Sequence, residues 1–514
     1  MDQIAATDIP DWGPFGKPLF DNPEARALSR VGVVDVGSNS VRMVIFDGAA
    51  RSPAYFFNEK VMCELGAGLS ETGRLNPRGR VRALAALRRF RRLADDLGLP
   101  GLHVVATAAV REAKDGPDFC AEVKSETGLI VQIIDGGEEA RLSAQGVLLG
   151  WPGAYGLICD IGGSSMELAE IGDGNVGRRL TSALGPLKLR DIKGGRRARK
   201  AHIKATMEEL RDQLGPQRDR LFLVGGSWRA FARLDMLRRG YPLNVLHEYR
   251  MTTKQVHQTI KFIEKSNPDD LRGPAGVSSS RMALIPYAMD VLARLIRTFK
   301  PKDIAISSYG IREGLLYEQM SQNLRDCDPL IEASRFSEAK DARLPGFGKH
   351  LYDFVMPLFK SAPETRVRLI KAACLLHDVS WRAHPDYRAE VCFDYVTRAN
   401  LSGLKHSERV FIGLALQHRY RNKREGNRFE PLYKLLDEKE QKQAEILGKA
   451  MRFGAMLWMQ SDATMGTLRF YPKKRKLELL LPKAGSPLFN EVAESRLNSL
   501  ANALKSETHV IVRD

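Results

Sequence analysis

The sequence predicts an α/β protein made of two related halves, followed by an all-α C-terminal domain. Three observations support this fold class. Apolar strand-like runs alternate with helical patterns through to about Gln319, which is typical of α/β layers. A strand that ends in an aspartate and a Gly/Ser turn occurs twice, at Asp35 and at Asp160. After Cys327 the strand-like runs become rare and helical periodicity dominates.

The first Gly/Ser turn lies within Val31–Asp47, VGVVDVGSNSVRMVIFD. Two apolar runs on either side of a small polar turn predict a β-hairpin. The turn offers hydroxyl, amide and backbone N–H donors in a row, and this predicts an anion-binding concavity. Its residues are Gly37, Ser38, Asn39 and Ser40. Asp35 lies at its mouth, where a carboxylate suits a hydrated Mg²⁺.

The second turn follows Asp160, and it consists of Gly162, Gly163, Ser164 and Ser165. A single Gly/Ser turn is more often structural than functional. Two copies at the spacing of a domain predict two facing loops that clamp a phosphate chain between them. A third glycine-rich turn, with Gly226 and Ser227, opens a helix and suits an anion at the helix N-terminus.

Composition and charge narrow the class of protein. With 514 residues, 43% of them hydrophobic and 27% charged, the chain is long enough for two to four globular domains. We expect a loose tail at 1–29, two α/β domains at 30–140 and 141–325, and a helical domain at 326–514. No apolar run approaches the length of a membrane span, and no signal peptide is evident. The six cysteines form no C-x-x-C pair, which predicts reduced thiols and a cytoplasmic location.

The net charge of +17 favours a polyanionic partner. Its densest basic run, Gly194–Ala201, is expected to be an exposed loop and contains no aromatic residue. Because single-stranded nucleic acid is usually bound by aromatics interleaved with basic residues, this run argues against a nucleic-acid partner.

Several helices are predicted between the phosphate loops, and two of them have an informative pattern. In Pro77–Leu97, apolar residues recur every three positions from Val81 onwards and predict one apolar face. A second helix begins at the sequence DGGEEAR, with Glu138 and Glu139 in its first turn, where acidic side chains interact favourably with the helix dipole.

Six motifs together carry a family resemblance: DVGSNSVRM, ATAAVREA, IIDGGEEARL, DIGGSSMEL, VGGSWRA and SSYGIREG. In this order and spacing they resemble the exopolyphosphatase/guanosine pentaphosphate phosphatase family of the actin-like ATPase superfamily. The resemblance is close over about Val31–Glu318. It implies two actin-like (ribonuclease H-like) domains with mixed sheets flanked by helices, followed by an HD-like helical domain, and it implies a homodimer.

The resemblance also implies a Mg²⁺-dependent phosphohydrolase that removes a terminal phosphate. Glu139 matches the family's catalytic base, and Arg111 matches the arginine that neutralises the terminal phosphoryl group. Asp160 matches the Mg²⁺ aspartate. Glu167 would orient metal or water, and Asp35 would assist near the metal.

The sequence departs from the family pattern in the second loop. The usual DIGGGST-E is DIGGSSMEL here, so that Ser164 replaces a glycine and Met166 a threonine. Ser164 restricts the loop backbone, and we expect the phosphate geometry to differ. Catalysis is expected to be retained because the catalytic positions are present.

A second divalent-metal site is suggested by the resemblance of the C-terminal domain to the HD phosphohydrolase fold. Four residues match its metal quartet: His350, His377, Asp378 and Asp462. Members of the family often keep this helical fold without a metal, so the resemblance leaves the site open.

Several functions remain open at this stage. The first is an exopolyphosphatase that releases orthophosphate from inorganic polyphosphate, and the second is a guanosine pentaphosphate 5′-phosphohydrolase. The motifs do not separate them, although the net charge favours the long polymer. A non-catalytic polyphosphate or nucleotide sensor is a third reading, against which the presence of Glu139 and Arg111 argues. A sugar-kinase-like phosphotransferase is disfavoured because no sugar-site pattern occurs.

Overall fold

The computed structural model describes residues 30–47, 51–215, 219–422, 426–457 and 465–513. Contacts within the chain divide it into two compact units. One unit runs up to Pro329 and the other begins at Leu330. The two units are described in turn.

The first unit opens with a five-stranded mixed sheet of order β3-β2-β1-β4-β5. Its strands are β1 Val31–Val36, β2 Ser40–Phe46, β3 Tyr55–Met62, β4 Leu102–Ala106 and β5 Val131–Ile133. The first three pair antiparallel, and β4 and β5 continue the sheet in parallel with β1. The hairpin predicted around the first phosphate loop is therefore confirmed as β1–β2.

The second sheet of this unit has six strands in the order β10-β11-β9-β6-β7-β8. Its strands are β6 Gly156–Ile161, β7 Met166–Gly172, β8 Asn175–Ser182, β9 Arg220–Val224, β10 Arg250–Met251 and β11 Asp303–Ile306. Again three strands form an antiparallel meander, β6–β7–β8, and the sheet continues in parallel from β6 through β9 to β11. The repeated topology agrees with the two related halves expected from the sequence.

Helices flank these sheets. Their bounds are Leu69–Thr72, Pro77–Asp96, Ala108–Glu112, Gly116–Thr127, Gly136–Gly150, Pro186–Arg190, Gly195–Leu214, Gly226–Arg239, Thr253–Lys265, Pro268–Ala275, Ser279–Met282, Ile285–Phe299, Ile311–Glu318 and Gln322–Asp326. Local signals account for where many of them begin. Asn76 caps the second helix by accepting a hydrogen bond from the Gly79 backbone N–H, and a proline occupies the first helical position.

Two sequence-based expectations for these helices are wrong. Val81 is 69% exposed, whereas Leu84, Leu87 and Phe90 are buried. A repeat of three residues drifts around a helix of 3.6 residues per turn, so the first member of the series leaves the buried face. The basic run at 194–201 is the start of a helix rather than a loop, because Arg199 and its neighbours pair with the buried carboxylate of Asp290.

A close helix crossing joins the two sheets of the first unit. Helix Gly136–Gly150 packs against helix Ile311–Glu318. A Cβ atom at Gly146 would lie 2.3 Å from the Gly310 carbonyl oxygen, and one at Gly314 would lie 1.9 Å from that of Leu142. Only glycine allows this approach, which places the start of the first helix, with Glu139, between the two phosphate loops.

The second unit is mainly helical. Its α-helices are Pro329–Asp341, Phe347–Val355, Glu364–Leu375, Arg388–Arg398, His406–Tyr420, Glu430–Tyr433, Glu438–Gly454 and Glu491–Leu504, and short 3-10 turns include Met356–Leu358, Pro385–Tyr387, Pro472–Lys474 and Lys483–Leu488. The predicted helical character is confirmed. None of the described helices in either unit has the length and apolar character needed to cross a membrane.

The expectation that this unit is all-α needs a correction. A three-stranded sheet of order β12-β13-β14 follows the helices, and its strands are β12 Thr467–Tyr471, β13 Lys476–Pro482 and β14 Glu507–Arg513. The run at 473–481 is the one stretch of this unit whose sequence pattern indicates a strand, and it corresponds to β13. The outer strands were missed because charged and aromatic residues interrupt their alternation of apolar and polar positions. In β12 a single residue is buried, and in β14 nearly all residues are exposed.

Candidate active site

The two phosphate loops have the same internal geometry. In the first, the Gly37 N–H donates to the Ser40 carbonyl oxygen at 3.1 Å, and in the second the Gly162 N–H donates to that of Ser165 at 3.0 Å. The loops face each other, because the Oγ atoms of Ser38 and Ser164 lie 3.3 Å apart although 126 residues separate them in the chain. The two Gly/Ser turns predicted from the sequence therefore face each other in one cleft.

Between the loops lies a cavity of about 190 Å³, which suits a small anionic group. Its walls include nearly all the residues predicted to bind phosphate or metal: Asp35, Gly37, Ser38, Asn39, Ser40, Glu139, Asp160, Gly162, Gly163, Ser164, Ser165, Gly226 and Ser227. Arg111 and Glu167 stand behind this wall.

Glu139 is held at the cleft by the start of its helix. Asp135 caps helix Gly136–Gly150 by accepting a hydrogen bond from the Glu138 N–H at 2.7 Å. A Cβ atom at Gly136 would lie 2.5 Å from Thr181, so the first turn sits tightly against β8. The carboxylate one residue after Glu138 therefore faces inward and is buried, whereas that of Glu138 pairs with Arg141.

Arg111 positions this carboxylate. Its Nη1 lies 3.3 Å from Glu139 Oε2, and it also donates to the Ile134 carbonyl oxygen at 2.7 Å. The second bond fixes the guanidinium at the end of β5 and leaves its remaining donors for another anion. The base and arginine expected from the family motifs are thus neighbours in the structure.

Four carboxylates crowd this side of the cleft: Asp35, Glu139, Asp160 and Glu167. Asp160 and Glu167 are directly opposite each other on β6 and β7. Burial, together with the charges of Asp160 and Asp35, raises the pKa of Glu139 to about 8. Burial and the charge of Glu139 likewise hold the pKa of Glu167 well above its ordinary value. Such crowding is unfavourable without a compensating positive charge.

The donor set fits a hard divalent cation. Within the described residues, Glu167 Oε2 is buried and accepts no hydrogen bond, while Oε1 accepts one from Thr181. No three Asp, Glu, His or Cys side chains in the described ranges are close enough to hold a metal ion unaided. Mg²⁺ commonly binds through one or two carboxylates and completes its coordination with water and substrate phosphate, which this arrangement allows.

A basic cluster stands beside the carboxylates, and we define it as Arg42, Lys60, Arg229, Arg281 and Arg312. Three of its arginines, Arg229, Arg281 and Arg312, line the cavity. Burial and the charges of Arg312, Arg281 and Arg42 lower the pKa of Arg229 to about 10. Burial and four of these arginines lower the pKa of Lys60. Mutual repulsion of this kind marks a site for a multiply charged anion.

Sequence reasoning did not identify the basic cluster as part of the site, nor Ser143. Ser143 is buried and donates a hydrogen bond to Asp160, which orients that carboxylate. Arg281 reaches the cleft from the short helix Ser279–Met282, far in sequence from the phosphate loops. Two members had a sequence signal: a hairpin closed at Gly37 places Arg42 opposite Asp35, and Arg229 follows the third glycine-rich turn by two residues.

The second metal site suggested for the C-terminal unit gains no support from the described geometry. The Asp378 carboxylate is engaged by Arg343 at 2.7 Å and lies 3.6 Å from Arg419. His377 Nδ1 lies 2.9 Å from the Cys374 carbonyl oxygen. No metal-binding group that includes His350, His377 or Asp378 occurs among the described residues. Asp462 lies outside the described residues.

Comparison with known proteins identifies the family of this chain. The model of the Ppx/GppA phosphatase family matches residues 44–323, more than half of the chain. The chain belongs to the Ppx/GppA phosphatase family. A second model, for the C-terminal domain of exopolyphosphatases, matches residues 339–511. The family predicted from the six motifs is therefore confirmed.

Among the relatives of this Ppx/GppA protein is Exopolyphosphatase 1 of Mycobacterium tuberculosis, 27% identical over 323 residues, which are 59% of this chain and 92% of the relative. Retrograde regulation protein 2 of Saccharomyces cerevisiae is 25% identical over 443 residues, 77% of this chain and 74% of the yeast protein. The Ppx/GppA member of Aquifex aeolicus has a similar fold, with a TM-score of 0.50 and 23% identity, covering 57% of this chain and 97% of that structure. An exopolyphosphatase from Cytophaga hutchinsonii gives a TM-score of 0.51 at 23% identity, over 56% of this chain and 97% of the structure.

Proposed function

We propose that this Ppx/GppA protein is an exopolyphosphatase that hydrolyses the terminal phosphoanhydride bond of inorganic polyphosphate and releases orthophosphate. The observation that carries the proposal is that two facing phosphate loops, Glu139 and three arginines of the basic cluster line one cavity. The loops suit one terminal phosphate, and the cluster extends the positive potential to the phosphates behind it.

In this proposal the hydroxyl and backbone N–H groups of both loops hold the terminal phosphate. Glu139 accepts a proton from the attacking water, and its raised pKa brings it near the operating pH, where a general base is most effective. Arg111 orients the Glu139 carboxylate and offers its free donors to the charge that develops on the phosphoryl oxygens.

Asp160 would hold Mg²⁺, with Glu167 and Asp35 beside it to orient water, and when bound the ion would neutralise charge on the phosphate oxygens. Ser143 keeps Asp160 oriented for this task through its hydrogen bond. The basic cluster would bind the leaving part of the chain electrostatically. Electrostatic binding by the basic cluster depends little on the exact shape of the polymer, so the cluster would accept the next phosphate after each cleavage.

Guanosine pentaphosphate is the second candidate substrate, since it too ends in a phosphoanhydride and carries several charges. The net charge of +17 favours the longer polymer. The experiment compares orthophosphate release from long-chain polyphosphate and from guanosine pentaphosphate, each with Mg²⁺, by the wild type and by Glu139→Ala.

Release from the polymer that disappears in Glu139→Ala is the expected result. Release from the nucleotide alone would move the assignment to the second candidate. Binding of polyphosphate without any release, in wild type and variant alike, would overturn the enzymatic proposal and indicate a sensor.

A further inference from the structure

Glu313 is a carboxylate among the positive charges that stand beside the cleft. It lies in the first turn of helix Ile311–Glu318, directly after Arg312, and is 1% exposed. Burial and neighbouring arginines lower the pKa values of Arg42 and Arg229, and the charge of Glu313 opposes this lowering at both. A buried carboxylate needs partners for its charge, and in such surroundings a guanidinium is the obvious one.

Both oxygens of Glu313 instead accept hydrogen bonds from neutral donors. Tyr55 Oη donates to Oε1 at 2.8 Å, and the Gly310 backbone N–H donates to Oε2 at 2.8 Å. The bond from Gly310 is local, because this residue immediately precedes the helix. The bond from Tyr55 joins residues 258 positions apart and depends on the tertiary fold. The phenol therefore supplies a donor that an arginine of the basic cluster would otherwise supply.

The surroundings of Tyr55 suit it for this task. It lies on β3 opposite Phe46 of β2, and the two ring centroids are 5.5 Å apart. Burial of its hydroxyl and the charge of Glu313 hold the pKa of the phenol well above its ordinary value, so it stays a neutral donor. The ring itself is 38% exposed, so removal of the hydroxyl alone opens no cavity in the core.

Given a polyphosphate substrate, as proposed for this site, we infer that Tyr55 is a positioning residue for substrate binding: it holds the Glu313 carboxylate and so leaves the guanidinium groups of the basic cluster available to the phosphates. Without the hydroxyl, Glu313 Oε1 would take its hydrogen bond from a guanidinium. Arg229 and Arg312 line the cavity, so an arginine turned towards Glu313 would be withdrawn from the substrate. Tyr55 thus acts on the substrate through Glu313 and the arginines, and it touches no reacting atom.

The first test compares KM and kcat for orthophosphate release from long-chain polyphosphate, with Mg²⁺, between the wild type and Tyr55→Phe. We expect KM to rise roughly five- to tenfold and kcat to stay within about twofold, because a charged contact to the substrate is weakened while Glu139 is unaffected. Tyr155→Phe is the matched control, since Tyr155 is 62% exposed in the same unit, and it should keep the KM of the wild type. An unchanged KM in Tyr55→Phe would overturn the inference.

Glu313→Gln separates this role from a merely structural one. Glutamine keeps an oxygen for the Gly310 N–H but has no negative charge with which to hold a guanidinium. In the Glu313→Gln background, Tyr55→Phe should therefore change KM by less than about twofold. The same rise of KM in both backgrounds would contradict the inference, because a structural effect of the lost hydroxyl would not depend on the charge of Glu313.

Calorimetric titration with polyphosphate, without Mg²⁺, distinguishes failure of this inference from failure of the proposed function. Weaker binding by Tyr55→Phe than by the wild type supports the role of Tyr55 even where neither protein releases orthophosphate, and in that case the proposed hydrolysis alone fails. Equal dissociation constants would overturn the role of Tyr55 even where release is normal. A wild type that does not bind polyphosphate would overturn both.

Discussion

Replacing Glu139 by glutamine should change activity and stability in opposite directions. Glutamine keeps an oxygen that can accept the hydrogen bond from Arg111 but cannot take a proton from water. Loss of a general base lowers kcat by roughly 10² to 10⁴, or about 3–5 kcal/mol at about 1.4 kcal/mol per tenfold change. KM should change little, because the phosphate contacts come from the loops.

The effect on stability follows from the raised pKa. The folded chain holds the Glu139 carboxyl at a pKa of about 8, compared with 4.5 for an ordinary glutamate. A group whose folded pKa is raised stabilises the fold below its unfolded pKa, and this contribution is lost as the pH rises through the folded value. pH 7 lies about 2.5 units above the ordinary pKa, and each unit costs about 1.4 kcal/mol of folding stability. The loss of folding stability at pH 7 is therefore on the order of 3 kcal/mol. Glutamine has no such penalty.

The assay has two arms. Orthophosphate release from polyphosphate measures activity, and urea unfolding at pH 5 and at pH 7, without added metal, measures stability. Glu138→Gln is the control. Glu138 occupies the preceding position of the same helical turn but pairs outward with Arg141, so its activity should stay within about twofold of the wild type. We expect Glu139→Gln to gain stability relative to the wild type as the pH rises from 5 to 7. A variant that retains more than a tenth of the activity, or that is destabilised at pH 7, would refute the assignment of Glu139.

Three further changes test other parts of the structure. Gly226→Ala would place a Cβ atom 2.4 Å from the end of the Arg281 side chain, so we expect Arg281 to move. KM for polyphosphate should then rise several-fold while the melting temperature stays nearly constant. An unchanged KM would exclude Arg281 from substrate binding. Ser164→Gly removes the hydroxyl that faces Ser38 and should lower kcat/KM about tenfold if that donor, worth roughly 1.5 kcal/mol, contacts phosphate. Burial lowers the pKa of His377 to about 3, so the wild type loses stability as the pH falls below about 6.5. Between pH 7 and pH 5, His377→Gln should lose about 2 kcal/mol less than the wild type in urea unfolding. Parallel pH profiles of the two proteins would contradict this prediction.

Local sequence was sufficient where a site is built from neighbouring residues. Gly37 to Ser40 and Gly162 to Ser165 form the same turn, because each turn is closed by its own backbone hydrogen bond. Glu139 was predicted from its match to a contiguous family motif, and the structure buries its carboxylate in the first turn of a helix capped by Asp135. The alternation of strands and helices likewise indicated the mixed sheets of the first unit.

Patterns failed where burial depends on distant partners. Val81 belongs to a series of apolar residues spaced three apart, but it faces solvent. A helix has 3.6 residues per turn, so a spacing of three does not keep every member on the face that packs against the sheet. The basic run near Arg199 is typical of an exposed loop, yet the buried Asp290 on another helix turns it into a helix start. The strands β12 and β14 have no strong alternation, and only pairing with β13 makes them strands.

The sequence by itself determined the fold class, the two Gly/Ser turns and the family, and it predicted a base at Glu139, because these depend on contiguous motifs and their order. Only the tertiary structure decided that the Ser38 and Ser164 hydroxyls meet, that Ser143 orients Asp160, and that the arginines of the basic cluster share one cleft. These contacts join segments more than 100 residues apart or on different elements, and their energies come from burial and from charges at short distance, which exist only after the chain has folded.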